Sequence, residues 1–186
     1  MDIKEKALLY RAHAGDRGAA GTLYEHYYRD IYSYIFYRVS NPSTAENLSA
    51  EVFVRMIRHL PGFLDQGKPF ISWLYGLAKK VIQDYHQDPE ELISTKNITG
   101  DRSNGKNFPS NGRAHIHKDQ AALGCFQQAL QHLSETHKEI IIHRFVEGRS
   151  VRDIADLTNQ SEGSVRALQL NALKSLEEAL VKENCI

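Results

Sequence analysis

Between Phe63 and His86 the chain interleaves rings with cations: Phe63, Phe70, Trp73, Tyr75 and Tyr85 alternate with Lys68, Lys79, Lys80 and His86. Ring faces stack on unpaired bases and ammonium groups offset phosphate charge, so the mixture suits single-stranded nucleic acid. The plainer reading is core packing, because Phe70, Trp73 and Leu77 share one helical face. Most of the rings are therefore assigned to the core, and the loop and basic rim are kept as the candidate surface. A second candidate lies in SVRDIADLTNQSEGSVRALQ, residues 150–169. There Glu162, Arg166 and Leu170 form an outer row, with Gly163 and Ala167 beside it. Short side chains at a helix start allow close approach to a groove, the helix N-terminus favours phosphate, and Arg166 can reach guanine or phosphate. The plainer reading of Arg166 is a solvated surface arginine.

Other chemistry lacks its residues. Nine histidines invite a metal reading, but His115 and His117 have no Cys or acidic ligand placed to complete a set of four. No HExxH, GxSxG or P-loop pattern occurs, and the acidic residues are dispersed along the expected helices. The expectation is no enzyme, no metal and no cofactor. Basic and acidic side chains balance at 23 each over 186 residues, which excludes a strongly basic protein that coats nucleic acid but allows a local basic patch. Cys125 and Cys185 are too few and too scattered for a disulfide framework. The first residues lack a signal-peptide pattern, and no apolar run approaches the ~20 residues of a membrane span. A cytoplasmic, reducing setting without membrane insertion is expected.

Helices must position these candidates. Leu23, Tyr27, Ile31, Tyr34 and Ile35 recur at helical spacing; Asn41-Pro42 stops that pattern, and Ser43 or Thr44 is expected to cap the next helix. Leu48, Val52, Met56 and Leu60 make its buried stripe, ended by Pro61-Gly62. A third helix follows Pro69, burying Phe70, Trp73, Leu74, Leu77 and Ile82. From about 88 to 117 the composition turns to Gly, Asn and Pro without periodicity, which reads as a flexible linker. Beyond it come a helix near Gln120–His132 and one capped by Ser134 and stopped by Gly148. A helix capped by Ser150 then buries Val151, Ile154 and Ala155. Asn159 takes a left-handed turn, and a helix capped by Ser161 buries Val165, Leu168, Ala172 and Leu176. The expected fold is all-α: two small helical domains, 1–87 and 118–186, joined by a flexible linker at 88–117, the second a helix-turn-helix.

Three stretches resemble known motifs in the same order. TAENLSAEVFVRMIRHL resembles the AEDLxQEVF helix of bacterial sigma factors, FLDQGKPFISWLYGLAKKVIQDY the segment that follows it, and LSETHKEIIIHRFVEGRSVRDIADLTNQSEGSVRALQLNAL their C-terminal helix-turn-helix. Order, spacing and linker resemble the extracytoplasmic-function (ECF) group of the sigma-70 family. The resemblance implies a sigma factor that binds core RNA polymerase and directs promoter recognition and opening. It assigns core binding to Glu46, Asn47, Leu48, Glu51, Val52 and Phe53. It assigns the −10 element to Asp65, Gln66, Gly67, Lys68, Trp73, Lys79, Lys80 and Asp84, and the −35 element to Ser161, Glu162, Ser164 and Arg166. An anti-sigma factor is a further partner of the family.

The chain departs from the family pattern at five positions. Asn47 replaces an Asp, Gln87 a frequent cation, and Gln160 an apolar turn residue; Leu170 and Asn171 stand where a basic pair is common. The losses at Asn47, Leu170 and Asn171 support an alternative, a degenerate sigma-like regulator working mainly through protein contacts. A sensor carrying a response-regulator type of helix-turn-helix is disfavoured, because it has no use for AENLSAEVF followed by FISWL.

Overall fold

The computed structural model describes residues 3–64, 69–88 and 120–186. The linker expected at 88–117 lies outside them from residue 89 onward, as do Asp65, Gln66, Gly67, Lys68, His115 and His117. Among the described residues there are helices and turns but no strand. The first unit is α1 (Ile3–His13), α2 (Arg17–Val39), α3 (Pro42–Phe63) and α4 (Phe70–Gln87). The second is α5 (Gln120–Gln131), α6 (Glu135–Ile141) running into a π-helical turn (Ile142–Val146), α7 (Val151–Thr158) and α8 (Glu162–Lys182).

Apolar spacing sets the first core. Leu48, Val52, Met56 and Leu60 on α3 are buried together with Ile31, Tyr34 and Ile35 of α2 and Phe70, Leu74, Leu77 and Ile82 of α4. Trp73 was expected in this core; it is half-buried, stacked on Phe63 at 4.7 Å. Two boundaries differ from expectation. The α3 cap is Asn41, whose side chain accepts from the Thr44 amide, so Pro42 takes the first helical position and neither Ser43 nor Thr44 caps. Nor does Pro61-Gly62 end α3. The helix runs on to Phe63, because Leu60 and Phe63 are both buried and Pro61 falls in the last turn, where the amide it lacks costs one hydrogen bond.

The second core joins Leu130, Ile140, Ile141, Ile154, Ala155, Val165 and Ala172. Successive helical residues point about 100° apart, so the run Ile140-Ile141-Ile142 cannot face one core. Ile140 and Ile141 enter the second core and Ile142 enters the first. The π turn re-aims the chain there: Glu147 donates its amide to the Ile142 carbonyl at 3.0 Å, and Gly148 exits at φ 71°.

The two cysteines that read as scattered come together. A disulfide joins Cys125 on α5 to Cys185 beyond α8, with Cα atoms 5.9 Å apart. Sequence spacing hid this, because the partners are 60 residues apart and meet only when α5 packs on α8. No helix among the described residues is long and apolar enough to cross a membrane.

Candidate nucleic-acid interface

The helix-turn-helix is the most completely specified element. Ser150 caps α7 in a reciprocal capping box: its hydroxyl accepts from the Asp153 amide, and the Asp153 carboxylate accepts from the Ser150 amide. Bonds donated to it by the Ser150 hydroxyl, at 2.6 Å, and by the Ser150 amide hold the Asp153 carboxyl below its usual range. Asn159 sits at φ 54°, ψ 46°, the left-handed conformation expected of it. Ser161 caps α8 by accepting from the Ser164 amide at 3.1 Å. Ile154, Ala155 and Val165 lock the two helices from below. The leading edge of α8, Ser161, Glu162, Ser164 and Arg166, is exposed. The Arg166 guanidinium donates to Glu162 one turn back at 3.0 Å, so the outer row's cation starts out paired.

On α3 the six residues of the AENLSAEVF match divide by burial. Leu48, Val52 and Phe53 are 2%, 0% and 6% exposed and belong to the core. Glu46, Asn47 and Glu51 are half-buried on the other side, near the exposed Val54 and Ile57. Glu51 accepts from Arg55 at 2.8 Å, and Arg55 also donates to Asp84 of α4. Asp84 is thereby part of a bridge between α3 and α4.

On α4, Lys80 is exposed, while Lys79 pairs with Glu139 of α6 at 2.8 Å. The second unit thus reaches the first at the very helix that carries the basic rim. A cluster that the sequence reading missed surrounds this contact. The Arg149 guanidinium donates to Asp30 of α2 at 2.7 Å, to the Tyr75 hydroxyl of α4 at 2.9 Å and to Glu147 at 2.8 Å. Glu147 also accepts from Tyr75 at 2.7 Å. His143, 1% exposed, lies 2.8 Å from Glu147 and 3.9 Å from Glu139, between the rings of Tyr34 and Tyr75. Burial pushes the His143 pKa down, but the two carboxylates outweigh it and the net shift is upward. Burial raises Glu139, yet hydrogen bonds from His143 and Lys79 hold its carboxyl at about 2. One signal was legible: Glu139, His143 and Glu147 recur every fourth residue, which puts a histidine between two carboxylates on one helix face. Their partners Asp30 and Tyr75 carried none, because only tertiary packing brings them near.

Among the described residues no group of three or more His, Cys, Asp or Glu is arranged to hold a metal.

A four-helix unit with a cation-bearing helix, followed by a capped helix-turn-helix, is the architecture of a two-part helical factor. A model of sigma-70 region 2 matches residues 23–90, and a model of sigma-70 region 4 matches residues 123–176. The chain is 31% identical over 174 residues to the ECF RNA polymerase sigma factor BldN of Streptomyces coelicolor, across 93% of this chain and 64% of that protein. It is 28% identical over 185 residues to the ECF sigma factor SigD of Mycobacterium tuberculosis, across 94% of this chain and 83% of that protein. The structure of CnrH in complex with the cytosolic domain of CnrY has the same fold, with TM-score 0.59 at 18% identity, covering 96% of this chain and 97% of that one. The chain belongs to the sigma-70 family, in its ECF group. The chain spans about two thirds of the length of the first of these relatives, and both relatives are named as RNA polymerase sigma factors.

Proposed function

We propose that this protein binds core RNA polymerase through the outer face of α3 and directs it to promoters, the first unit holding the −10 element and the second reading the −35 element. The observation that carries the reading is the pairing of the two sigma-70 matches, in order, with a fully capped helix-turn-helix whose leading edge is open. On α3 the docking surface is Glu46, Asn47 and Glu51 with Val54 and Ile57. The buried Leu48, Val52 and Phe53 fix the pitch of that helix on the core. On α4 the exposed Lys80, with Lys79 once freed, supplies counter-charge to the unpaired strand. The half-buried Trp73 stiffens the helix start, and Asp84 ties it to α3 through Arg55. Asp65 to Lys68 belong to the same strand-binding segment of the sequence. Ser161, Glu162, Ser164 and Arg166 meet the −35 element. Residues 1–87 and 118–186 act as separate binding domains joined through 88–117, in the cytoplasm, with an anti-sigma factor as a further partner. The catalytic chemistry belongs to polymerase; this chain contributes binding free energy that favours the unpaired strand.

A second reading, action through protein contacts without promoter reading, draws on the Glu162–Arg166 pair and the exposed apolar Leu170. Run-off transcription with added core enzyme on a library of genomic promoter fragments separates the two. Promoter-specific transcripts that depend on this protein are expected. Binding to core enzyme with no specific transcript on any fragment would favour the second reading.

A further inference from the structure

The second core is built largely from small side chains, and a disulfide lies at its edge. Of its ten buried residues, four are alanine: Ala129, Ala155, Ala172 and Ala179. Alanine removes little apolar area from water, so a small unit with such a core is only marginally stable by packing alone. We propose that Cys125 and Cys185 are a thiol–disulfide pair that responds to the glutathione redox state and sets the stability of the helix-turn-helix unit. Oxidised, α5 is stapled to α8 and the unit stays folded; reduced, the unit loses that support. The consequence for promoter reading rests on the sigma-factor reading above, whereas the chemistry of the pair does not.

The element that the staple secures is α5. It supplies Ala129 and Leu130 to the second core, and Leu133 follows just beyond it. With twelve residues it is too short to persist as an isolated helix. Its other contacts go to the first unit: Leu123 packs against that core, Phe126 meets the Tyr37 ring at 5.6 Å, and Gln131 donates to the Arg38 carbonyl at 3.3 Å. Without the disulfide, the hold of α5 on the second unit depends on a few apolar contacts and on the His132–Glu183 pair at 2.6 Å. That pair is partly exposed and adds little.

Cys185 is placed where it can let go. It follows α8 on a turn in which Asn184 sits at φ 55°, the Asn184 amide donates to Val181 and the Cys185 amide to Leu180. Breaking the bond therefore releases a turn and leaves the helix itself intact. Both cysteines are only half-buried, so a small thiol can reach the sulfurs. The two are 60 residues apart, and the stabilisation from closing a loop grows with its length. In the cytoplasm, where the proposed function operates, thiols are kept reduced, and a disulfide that forms there is usually transient and redox-sensing.

The reaction needs glutathione disulfide as oxidant. One cysteine thiolate attacks a sulfur of glutathione disulfide, forming a mixed disulfide and expelling one glutathione thiolate. The other cysteine thiolate then attacks the protein sulfur of that mixed disulfide, closing Cys125–Cys185 and expelling the second glutathione. Two electrons pass from the cysteines to glutathione disulfide, and the two cysteine protons end on the two glutathione thiols. The chain has two cysteines in all, so no third thiol within it competes.

The test uses the full-length chain, equilibrated with excess reduced glutathione or with equal parts of glutathione and glutathione disulfide, then quenched, alkylated and weighed. Two free thiols are expected in the first buffer, and an intramolecular disulfide without a glutathione adduct in the second. A disulfide that survives excess reduced glutathione overturns the redox response, and free thiols or an adduct in the oxidised buffer overturn the pairing. The oxidised form should melt at least about 8 °C higher in its second unit. Its α8 amides should exchange hydrogen at least about tenfold more slowly. Cys125→Ser and Cys185→Ser should each match the reduced parent in both buffers; should they fail to fold, the parent in its two states carries the comparison. Equal midpoints and equal exchange in the two states overturn the control of stability. Run-off transcription with core enzyme on genomic promoter fragments, held between the two midpoints, should persist with the oxidised chain and be lost with the reduced one. Equal specific transcription by both overturns the link from stability to promoter reading. A staple that shifts stability in a chain giving no specific transcript in either state overturns the sigma-factor reading and leaves the thiol pair standing.

Discussion

Glu51 shows how much one side chain can be asked to do. It is half-buried, accepts from Arg55 at 2.8 Å, and through Arg55 is linked to Asp84. A partly exposed pair of this kind contributes about 0–1 kcal/mol to stability, so the bridge alone does not require Glu51. Its position beside Val54 and Ile57 suits a polar contact to polymerase. Glu51→Arg should leave the helical spectrum intact and weaken core binding about tenfold or more; a titration of core enzyme reporting the parental Kd would dismiss the contact. Arg166 presents the opposite balance. Its pair with Glu162 is exposed on both sides and is readily given up for a base or phosphate. Arg166→Ala should cost about 1–3 kcal/mol in binding if the guanidinium is bidentate to guanine, and the loss should be confined to −35 variants carrying that base. A phosphate contact would weaken all variants alike and lower the salt slope by roughly one. Fluorescence anisotropy on a panel of −35 duplexes at several salt concentrations distinguishes these, and parental behaviour throughout would mean that α8 reads through other residues.

At the scale of elements, the helix-turn-helix depends on its caps. α7 has only eight residues, too few to be stable alone, so its start must be fixed by side chains and its underside by Ile154 and Ala155. Ser150→Ala removes one half of the capping box and should cost about 0.5–2 kcal/mol, read as a lower thermal midpoint for the second unit. A midpoint unchanged within a degree would show that packing on α8 alone holds α7 in place. The sequence carried most of this element. Ser134, Ser150, Asn159 and Ser161 all occupy their expected cap or turn positions, because those roles depend on local backbone chemistry and one short side chain. The misjudged boundaries, Asn41 for Ser43 or Thr44 and Pro61-Gly62 as a stop, lie where a local preference competes with burial of a distant partner. The π turn is a stronger case. Its wide hydrogen bond serves to send Ile142 and His143 into the first unit, and nothing in the residues 142–146 by themselves requires that.

At the scale of the molecule, the buried charges between the units make the contact pH-dependent. Glu139 and Glu147 face His143 from its own helix and its exit; Tyr34 of α2 and Tyr75 of α4 flank its ring, and Lys79 and Arg149 close the cluster. The His143 pKa is raised above its ordinary 6.5, so its contribution is complete below that value and is lost as pH rises through the raised one. Glu139, held at about 2 against an ordinary 4.5, contributes above 4.5 and loses that contribution as pH falls toward 2. Asp30, raised chiefly by burial, opposes the carboxylate effect on the acid side. The contact should therefore be firmest between about pH 4.5 and 6.5 and loosen in the alkaline direction. Thermal midpoints taken from pH 6 to 9 should fall, and His143→Gln should flatten that fall. A slope identical in the variant would assign it to other groups.

The sequence by itself determined the helices, their apolar faces, the caps of the helix-turn-helix and the family, because each depends on residues near one another in the chain or on motifs read in order. Three things were decided only by tertiary structure. The first is the division of α3 into buried Leu48, Val52 and Phe53 and outward Glu46, Asn47 and Glu51, which needed the neighbours α2 and α4 to define inside and outside. The second is the Cys125–Cys185 bond, whose partners are brought together by the packing of α5 on α8. The third is the charged contact itself. Asp30, Tyr75 and Lys79 meet Arg149, Glu147 and Glu139 across 60 to 119 residues of chain, and charges at such separations carry no periodic signal. Their pairing exists only once two cores have formed and Ile142, with Leu123, Val146 and Leu157, has packed against the first.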